Sequence, residues 1–373
     1  MKVVAAIDSF KGSMTSMEAG NAVKKGILAA KPDAEVVVNP LADGGEGTVD
    51  ALIEGLGAKK IPVTVTGPLG EKVSCYYGFL EETKSAVMEM ASAAGITLVT
   101  KKDPLRASTY GVGEMIADAL KRGCKNFMIG IGGSATNDGG IGMLKALGFE
   151  FFDEDGNDVG EGAAALAKIE VIQTENKNPL LSGAKFQIAC DVKNPLCGKQ
   201  GATYIFGPQK GVTEEQKEQV DEAMRHYADV TKESLDCDFA DCEGAGAAGG
   251  LGYAFLSYLA GELIPGVELI LQATGLEEKM KNADVVVTGE GRLDAQTVMG
   301  KAPVGVAALA KKYNAKVIAF AGSVAPEAKV CNRAGIDAFF PIVRGVTTLE
   351  EAMKKENAME NIATTAEQVF RLL

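Results

Sequence analysis

A two-domain α/β protein built on a doubly wound parallel sheet is the fold that this sequence predicts. Both ends of the chain alternate apolar, β-branched runs with helical patterns, the order that parallel strands and crossover helices produce. The middle reads differently, with short runs set around tight turns. The chain's 373 residues also exceed the ~150 of an ordinary domain. The expectation is one discontinuous α/β domain made of residues 1–65 and 283–373. A mixed α+β domain, residues 66–282, is inserted between its halves.

The elements follow in order. Lys2–Ile7 is a β-branched run that ends in a loop over residues 8–14. Thr15 and Glu18 then form a capping-box pattern, and Ala19, Val23, Ile27 and Leu28 repeat at helical spacing. A second strand, residues 35–39, runs into a glycine-rich loop and a helix over residues 49–55. Residues 61–90 read as short antiparallel strands around the turn Gly67-Pro68-Leu69-Gly70. A strand–loop–helix unit covers residues 126–148, with strands near 168–173 and 185–190. A charged helix spans residues 213–233, and a small-residue helix lies beyond residues 244–252. The C-terminal part gives strands at 283–288, 315–321 and 337–341. Helices at 304–313 and 326–334 alternate with them, and one long helix over residues 349–373 closes the chain. Near-continuous apolar strands suit a sheet covered on both faces.

Composition narrows the chemistry. Hydrophobic residues make up 46% and charged residues 24%, the balance of a globular protein with a large core. A net charge of −12 disfavours nucleic acid and anionic membranes as partners. Seven scattered cysteines do not make a disulfide framework. No run approaches the ~18 apolar residues of a membrane span, and the start lacks a signal-peptide core. The expected compartment is the reducing cytoplasm. The single histidine, His226, falls in a charged helix and reads as a surface residue, so histidine-based hydrolysis and histidine metal sites lack their parts.

Ligands of doubly wound sheets bind beyond the carboxyl ends of the strands. Those ends deliver Asp8-Ser9-Phe10-Lys11-Gly12, then Asp43-Gly44-Gly45-Glu46-Gly47-Thr48, then Gly289-Glu290-Gly291-Arg292-Leu293-Asp294, and finally Gly322-Ser323. One loop joining acids to glycines is an ordinary turn, whereas three on one face of a sheet make a site. The middle domain adds a glycine-rich loop over residues 130–140, whose backbone amides suit a phosphate. It also adds Asp191 after a strand, the stretch Phe206-Gly207-Pro208-Gln209-Lys210-Gly211, and residues 244–252. Carboxylates, glycine loops and isolated cations are what phosphoryl transfer needs, because its catalysis is positioning and charge neutralisation. No G-x-x-x-x-G-K-[ST] string occurs, which excludes a P-loop. Gly130, Gly132 and Ala135, with Glu150 twenty residues past Gly130, also fit a dinucleotide fingerprint. A polar, glycine-rich stretch follows where that fingerprint requires a helix. A binding protein that holds an anion without turning it over is a further alternative.

At these loops the sequence resembles the type I glycerate kinases. The matching strings are DSFKGS (8–13), PLADGGEGT (40–48), GGSATNDGG (132–140), FGPQKG (206–211), GAAGGLG (246–252) and TGEGRLDAQT (288–297). They occur in order across nearly the whole chain. The resemblance implies a two-domain structure with a flavodoxin- or Rossmann-like domain and transfer of the ATP γ-phosphate to D-glycerate. The expected acceptor is the 2-hydroxyl, giving 2-phosphoglycerate, with a 3-kinase of the same fold as the alternative. ATP and Mg²⁺ are the implied cofactors, and the assembly allowed for is a homodimer. Asp191 is the expected base, with Asp8 second, and Lys11 and Arg292 are the cations for carboxylate or phosphate. Ser9, Asp43, Glu46, Glu290 and Asp294 are the candidates for substrate, with Asp43, Glu290 and Asp294 also assigned to the metal. Gly132, Gly133, Ser134 and Asn137 form the expected phosphate cradle, and Lys210 reaches toward it.

Overall fold

The computed structural model describes residues 1–42 and 48–373. It divides into two compact units. One gathers Asp50–Gly57, Val267–Leu373 and the described residues ahead of Asp43. The other comprises Ala58–Gly266 with Thr48 and Val49.

The strands β1 (Lys2–Ile7) and β2 (Glu35–Pro40) open the chain, and β3 (Lys59–Thr66), β4 (Lys72–Leu80) and β5 (Ser85–Glu89) follow. Then come β6 (Asn126–Gly130), β7 (Glu150–Phe152), β8 (Val171–Gln173), β9 (Lys185–Ala189) and β10 (Glu262–Ile264). The last three are β11 (Val285–Leu293), β12 (Lys316–Val324) and β13 (Ala338–Pro341).

In the first unit five parallel strands stand in the order β13-β12-β11-β1-β2. Counted within the unit this is the 2-1-3-4-5 order of doubly wound, flavodoxin-like sheets. The winding reverses between β1 and β11, which opens a crevice at their carboxyl ends. There Asp8 N–H donates to Gly289 O at 2.9 Å, so the ends of the two strands are hydrogen-bonded together.

The helix Ser16–Ala30 starts at Thr15, whose hydroxyl accepts from Glu18 N–H while the Glu18 carboxylate accepts from Thr15 N–H. The capping box is thus complete. Replacing Thr15 with alanine is expected to cost about 1 kcal/mol of stability. Urea unfolding would measure it, and a change near zero would mean that tertiary packing alone holds this end. The helix packs on the closing helix Lys355–Phe370 so closely that a Cβ at Gly26 would lie 2.0 Å from Ala363 O. Val23, Ile27, Ile362, Ala366 and Phe370 are buried in the core beneath.

Three sequence expectations are corrected here. Residues 289–293 are not a loop: β11 continues to Leu293 and stays paired with β12 through Leu293 and Val324. Gly289 permits this, since a Cβ there would lie 2.1 Å from Phe320 O. The closing segment is two helices, Leu349–Met353 and Lys355–Phe370, separated at Lys354 by an extended ψ of 129°. The stretch 206–211 is not a loop either, because the helix Ala202–Lys210 runs through it and ends at Gly211 with φ 106°.

In the second unit a six-stranded sheet has the order β10-β9-β6-β5-β4-β3. The strands from β10 to β5 are parallel, and β4 and β3 continue the sheet antiparallel. A separate ribbon pairs β7 with β8. The core centres on Tyr77, Phe127, Phe151, Tyr227 and Phe255, all fully buried.

Candidate active site

In each unit a cavity lies at the carboxyl ends of the parallel strands. The cavity of the first unit has a volume of about 660 Å³ and is lined by Asp8, Ser9, Lys11, Glu290, Arg292 and Lys301 among others. That volume is in the range of organic-ligand pockets.

Asp8 is buried at the end of β1, and its Oδ1 accepts from Ser9 N–H at 2.7 Å. Period-two alternation along β11 sets Glu290 and Arg292 on the same face. Glu290 is buried, with Oε1 accepting from the Thr297 hydroxyl at 2.7 Å and Oε2 3.5 Å from Lys301 Nζ. Burial pushes its carboxyl above the ordinary range, against the opposing pull of Thr297 and Lys301. Arg292 is two-thirds exposed, its Nε 3.5 Å from Asp294 Oδ2.

Asp294 itself does not line the cavity. Its Oδ1 accepts from Gln296 N–H at 2.9 Å and its Oδ2 faces Arg292, so both oxygens serve the strand end. Asp43 and Glu46 lie outside the described residues. Among the described residues no three acid, cysteine or histidine side chains group closely enough to hold a metal by themselves.

The cavity of the second unit has a volume of about 230 Å³, with Gly132, Gly133, Ser134, Asp191 and Lys210 in its wall. The glycine loop leaves β6 at Gly130, and no helix begins until Ile141. It is pinned on one side by Ile96 N–H to Gly133 O at 2.8 Å and Ala135 N–H to Ala94 O at 2.9 Å. On the other side Gly139 N–H donates to Gly249 O at 2.9 Å. Asp138 anchors the loop from within. Fully buried, it accepts from Thr109 N–H and Oγ1, both at 2.8 Å, from Gly140 N–H at 3.1 Å and from Gly142 N–H at 3.3 Å. Alanine at position 138 would leave these donors buried without an acceptor. A loss of about 3 kcal/mol or more is expected in a thermal or urea melt. A loss below about 1 kcal/mol would show the loop to be held by its backbone contacts instead.

Lys210 is 2% exposed. Its Nζ donates to Thr136 O at 2.6 Å, and burial pulls its ammonium down to about 7. A solvated loop lysine is therefore ruled out. Asn137 turns away from the cavity and donates through Nδ2 to Thr203 Oγ1 at 3.0 Å. It braces the loop against the helix Ala202–Lys210. Asp191 is exposed, with its Oδ1 accepting from Gly266 N–H at 2.8 Å.

The structure thus brings together Asp8, Ser9, Lys11, Glu290 and Arg292 in one cavity, and Gly132, Gly133, Ser134, Asp191 and Lys210 in the other. His226 lines neither, and its Nε2 lies 2.8 Å from Ile169 O. Glu150 accepts from Asn176 Nδ2 at 2.8 Å on the edge ribbon, so the acid of the dinucleotide fingerprint is engaged elsewhere. Lys301 is the residue that sequence reading missed. It stands alone at the cap of the helix Ala302–Lys312, with only a preceding glycine as a local signal.

The profile of the Glycerate kinase family matches residues 3–373. The chain belongs to the glycerate kinase family. It is therefore an enzyme, a kinase. The glycerate 2-kinase of Escherichia coli K12 is 44% identical over 375 residues, covering 100% of this chain and 98% of that protein. The glycerate kinase of Bacillus subtilis 168 is 44% identical over 371 residues, covering 99% and 97%. Among solved structures, a candidate glycerate kinase 2 from Salmonella typhimurium LT2 superposes with a TM-score of 0.91 at 44% identity, covering 99% of this chain and 97% of that one. Within this glycerate kinase fold no described helix is long and apolar enough to cross a membrane.

Proposed function

We propose that this protein transfers the γ-phosphoryl group of ATP to the 2-hydroxyl of D-glycerate, giving 2-phosphoglycerate and ADP. The observation that carries the reading is full-length 44% identity to a relative named as a glycerate 2-kinase. It is joined by two cavities, one combining Asp8 and Glu290 with three cations and the other Asp191 with Lys210. The reaction needs two anionic reactants, and each cavity suits one.

In this reading Asp191 accepts the proton of the attacking hydroxyl. Gly266 N–H holds one of its oxygens and so fixes the carboxylate's direction. Lys210 and the amides of the glycine loop receive an anionic group beside it. Lys11 and Arg292 meet phosphate oxygens, and Lys301 steadies Glu290 in its ionised form. Mg²⁺ requires only one or two carboxylates besides phosphate oxygens and water. Asp8 and Glu290, oxygen donors buried in one cavity, fit that demand and would hold it. When bound, the ion neutralises charge on the transferring group.

An ADP-release assay with D-glycerate, ATP and Mg²⁺, followed by ³¹P NMR of the product, tests the reading. Phosphorus coupled to the C2 proton is the expected result. Phosphate on C3 would overturn the regiochemistry, and no glycerate-dependent ADP would overturn the reaction. Arg292→Lys is expected to lower kcat/KM about tenfold, because the planar fork is lost while the charge stays. A change under twofold would make Arg292 a partner of Asp294 only. Seven free thiols agree with a reducing cytoplasm as the compartment. A homodimer is the assembly to look for by light scattering.

A further inference from the structure

The two cavities differ in size, and the difference separates the two reactants. Glycerate is a three-carbon acid with no apolar face. The second unit's cavity, at about 230 Å³, lies below the size of common organic-ligand pockets and suits it. The first unit's cavity, at about 660 Å³, is far too roomy for such an acid and carries an apolar wall that glycerate could not use. That wall is made by Phe10, Ile342, Val343, Leu349, Ala352 and Met353.

The wall is built by the break in the closing segment. Thr348 Oγ1 accepts from Glu351 N–H at 3.2 Å and starts the short helix Leu349–Met353. Leu349, Ala352 and Met353 stand at i, i+3 and i+4 and so share one helix face. That face lines the cavity, yet Leu349 is 76% and Met353 37% exposed, apolar surface that a flat ring would cover. The wall also adjoins the loop after β1: a Cβ at Gly12 would lie 3.0 Å from Met353 Cε. Lys11, Arg292 and Lys301 complete the cavity with cations.

We infer that the first unit's cavity is the nucleotide site, with the adenine base resting on the wall of Leu349, Ala352 and Met353. The phosphates then lie toward Lys11, Arg292 and Lys301. The inference rests on the kinase reading above and adds where the base sits. It exchanges the tenants expected from the motifs, because the glycine loop of the second unit then serves the acceptor.

The test is equilibrium binding of a fluorescent ADP (the N-methylanthraniloyl derivative) to the full chain, displaced by ADP or by inorganic tripolyphosphate. The double variant Leu349→Ser/Met353→Ser is expected to weaken ADP about tenfold, as loss of the apolar surface beneath the base does. Tripolyphosphate should change less than twofold, and Met353→Leu should keep wild-type affinity for both. An unchanged melting temperature confirms that the fold is intact, and Met353→Ser alone is the fallback should the double variant melt early. ADP binding that is unaffected, or weakened equally with tripolyphosphate, overturns the inference. Glycerate enters none of these measurements. Wall-dependent ADP binding without glycerate-dependent ADP release would sink the proposed reaction and leave the nucleotide site standing.

Discussion

Replacing Asp191 with asparagine should lower kcat by about two to four orders of magnitude, the usual contribution of a positioned general base. Asparagine keeps an oxygen that can accept from Gly266 N–H, so the 2.8 Å contact and the turn it secures should survive. What disappears is the carboxylate beside Lys210 and the glycine loop, the proposed proton acceptor. The KM for ATP should stay within a few-fold, as should the melting temperature. Steady-state kinetics with both substrates varied would measure this. Turnover near wild type would remove Asp191 from the chemistry and leave Asp8 as the next carboxylate to test.

Lys210→Met should lower kcat/KM for glycerate about a hundredfold, as expected when a buried cation facing an anionic group is lost. Methionine matches the stem in length and keeps the packing, so failure to fold is not expected to obscure the result. The pH behaviour distinguishes a site lysine from a structural one. In the folded protein the ammonium loses its proton near pH 7, whereas an unfolded lysine does so near 10.4. Between these values Lys210 holds more of its proton in the unfolded chain, so its own contribution to stability rises with pH through that window. The thiols of Cys75, Cys124 and Cys197, pushed up by burial, contribute in the opposite direction. Below about pH 7 both states are protonated, the full penalty for burying the charge is present, and the slope vanishes. Methionine should remove the lysine's contribution, which is read as the difference between the stability–pH profiles of the two proteins. In the proposed role of Lys210 the anion affinity runs the opposite way, because only the protonated amine would attract glycerate. It should fall as pH rises through 7 in the wild type and be flat in the variant. Calorimetric titration of glycerate from pH 6 to 9 would show both. Equal affinity in the two proteins at pH 6 would mean that Lys210 only supports the loop through Thr136.

The parts of the fold that depend on local periodicity were legible in the sequence. The capping box at Thr15, the valine run of β11 and the antiparallel turn at Gly67–Gly70 each carry their signal within a few residues. Features set by distant neighbours were not. Glycine and charged residues at 289–292 read as a turn, yet the proximity of Phe320 O requires a glycine at 289 and keeps the strand going. Gly207 and Pro208 read as a loop because both are poor helix formers, yet they lie inside the helix Ala202–Lys210. Nothing in the residues around Lys354 announces the break there. The chain reading set the domain joins near 66 and 282, while the compact units part near 57 and 266. Within the motifs, which members line a cavity and which only support it was not legible in the strings. Asp294 and Asn137 belong to those motifs and spend their hydrogen bonds on supporting neighbours.

The closing helix Lys355–Phe370 lies against Ser16–Ala30, at the other end of the chain. On the ribosome this arrangement sets an order of events. β1 and β2 emerge first, but their sheet cannot be completed until β11, β12 and β13 have been made. The inserted unit, by contrast, has all its strands once Gly266 has emerged. At ~5–20 residues per second, the opening strands wait tens of seconds with an unpaired parallel edge. Holding that edge out of aggregation is the task this topology sets for the cell's chaperones. It also makes the last turn of the chain, where Phe370 is fully buried, part of the domain that the first residues begin.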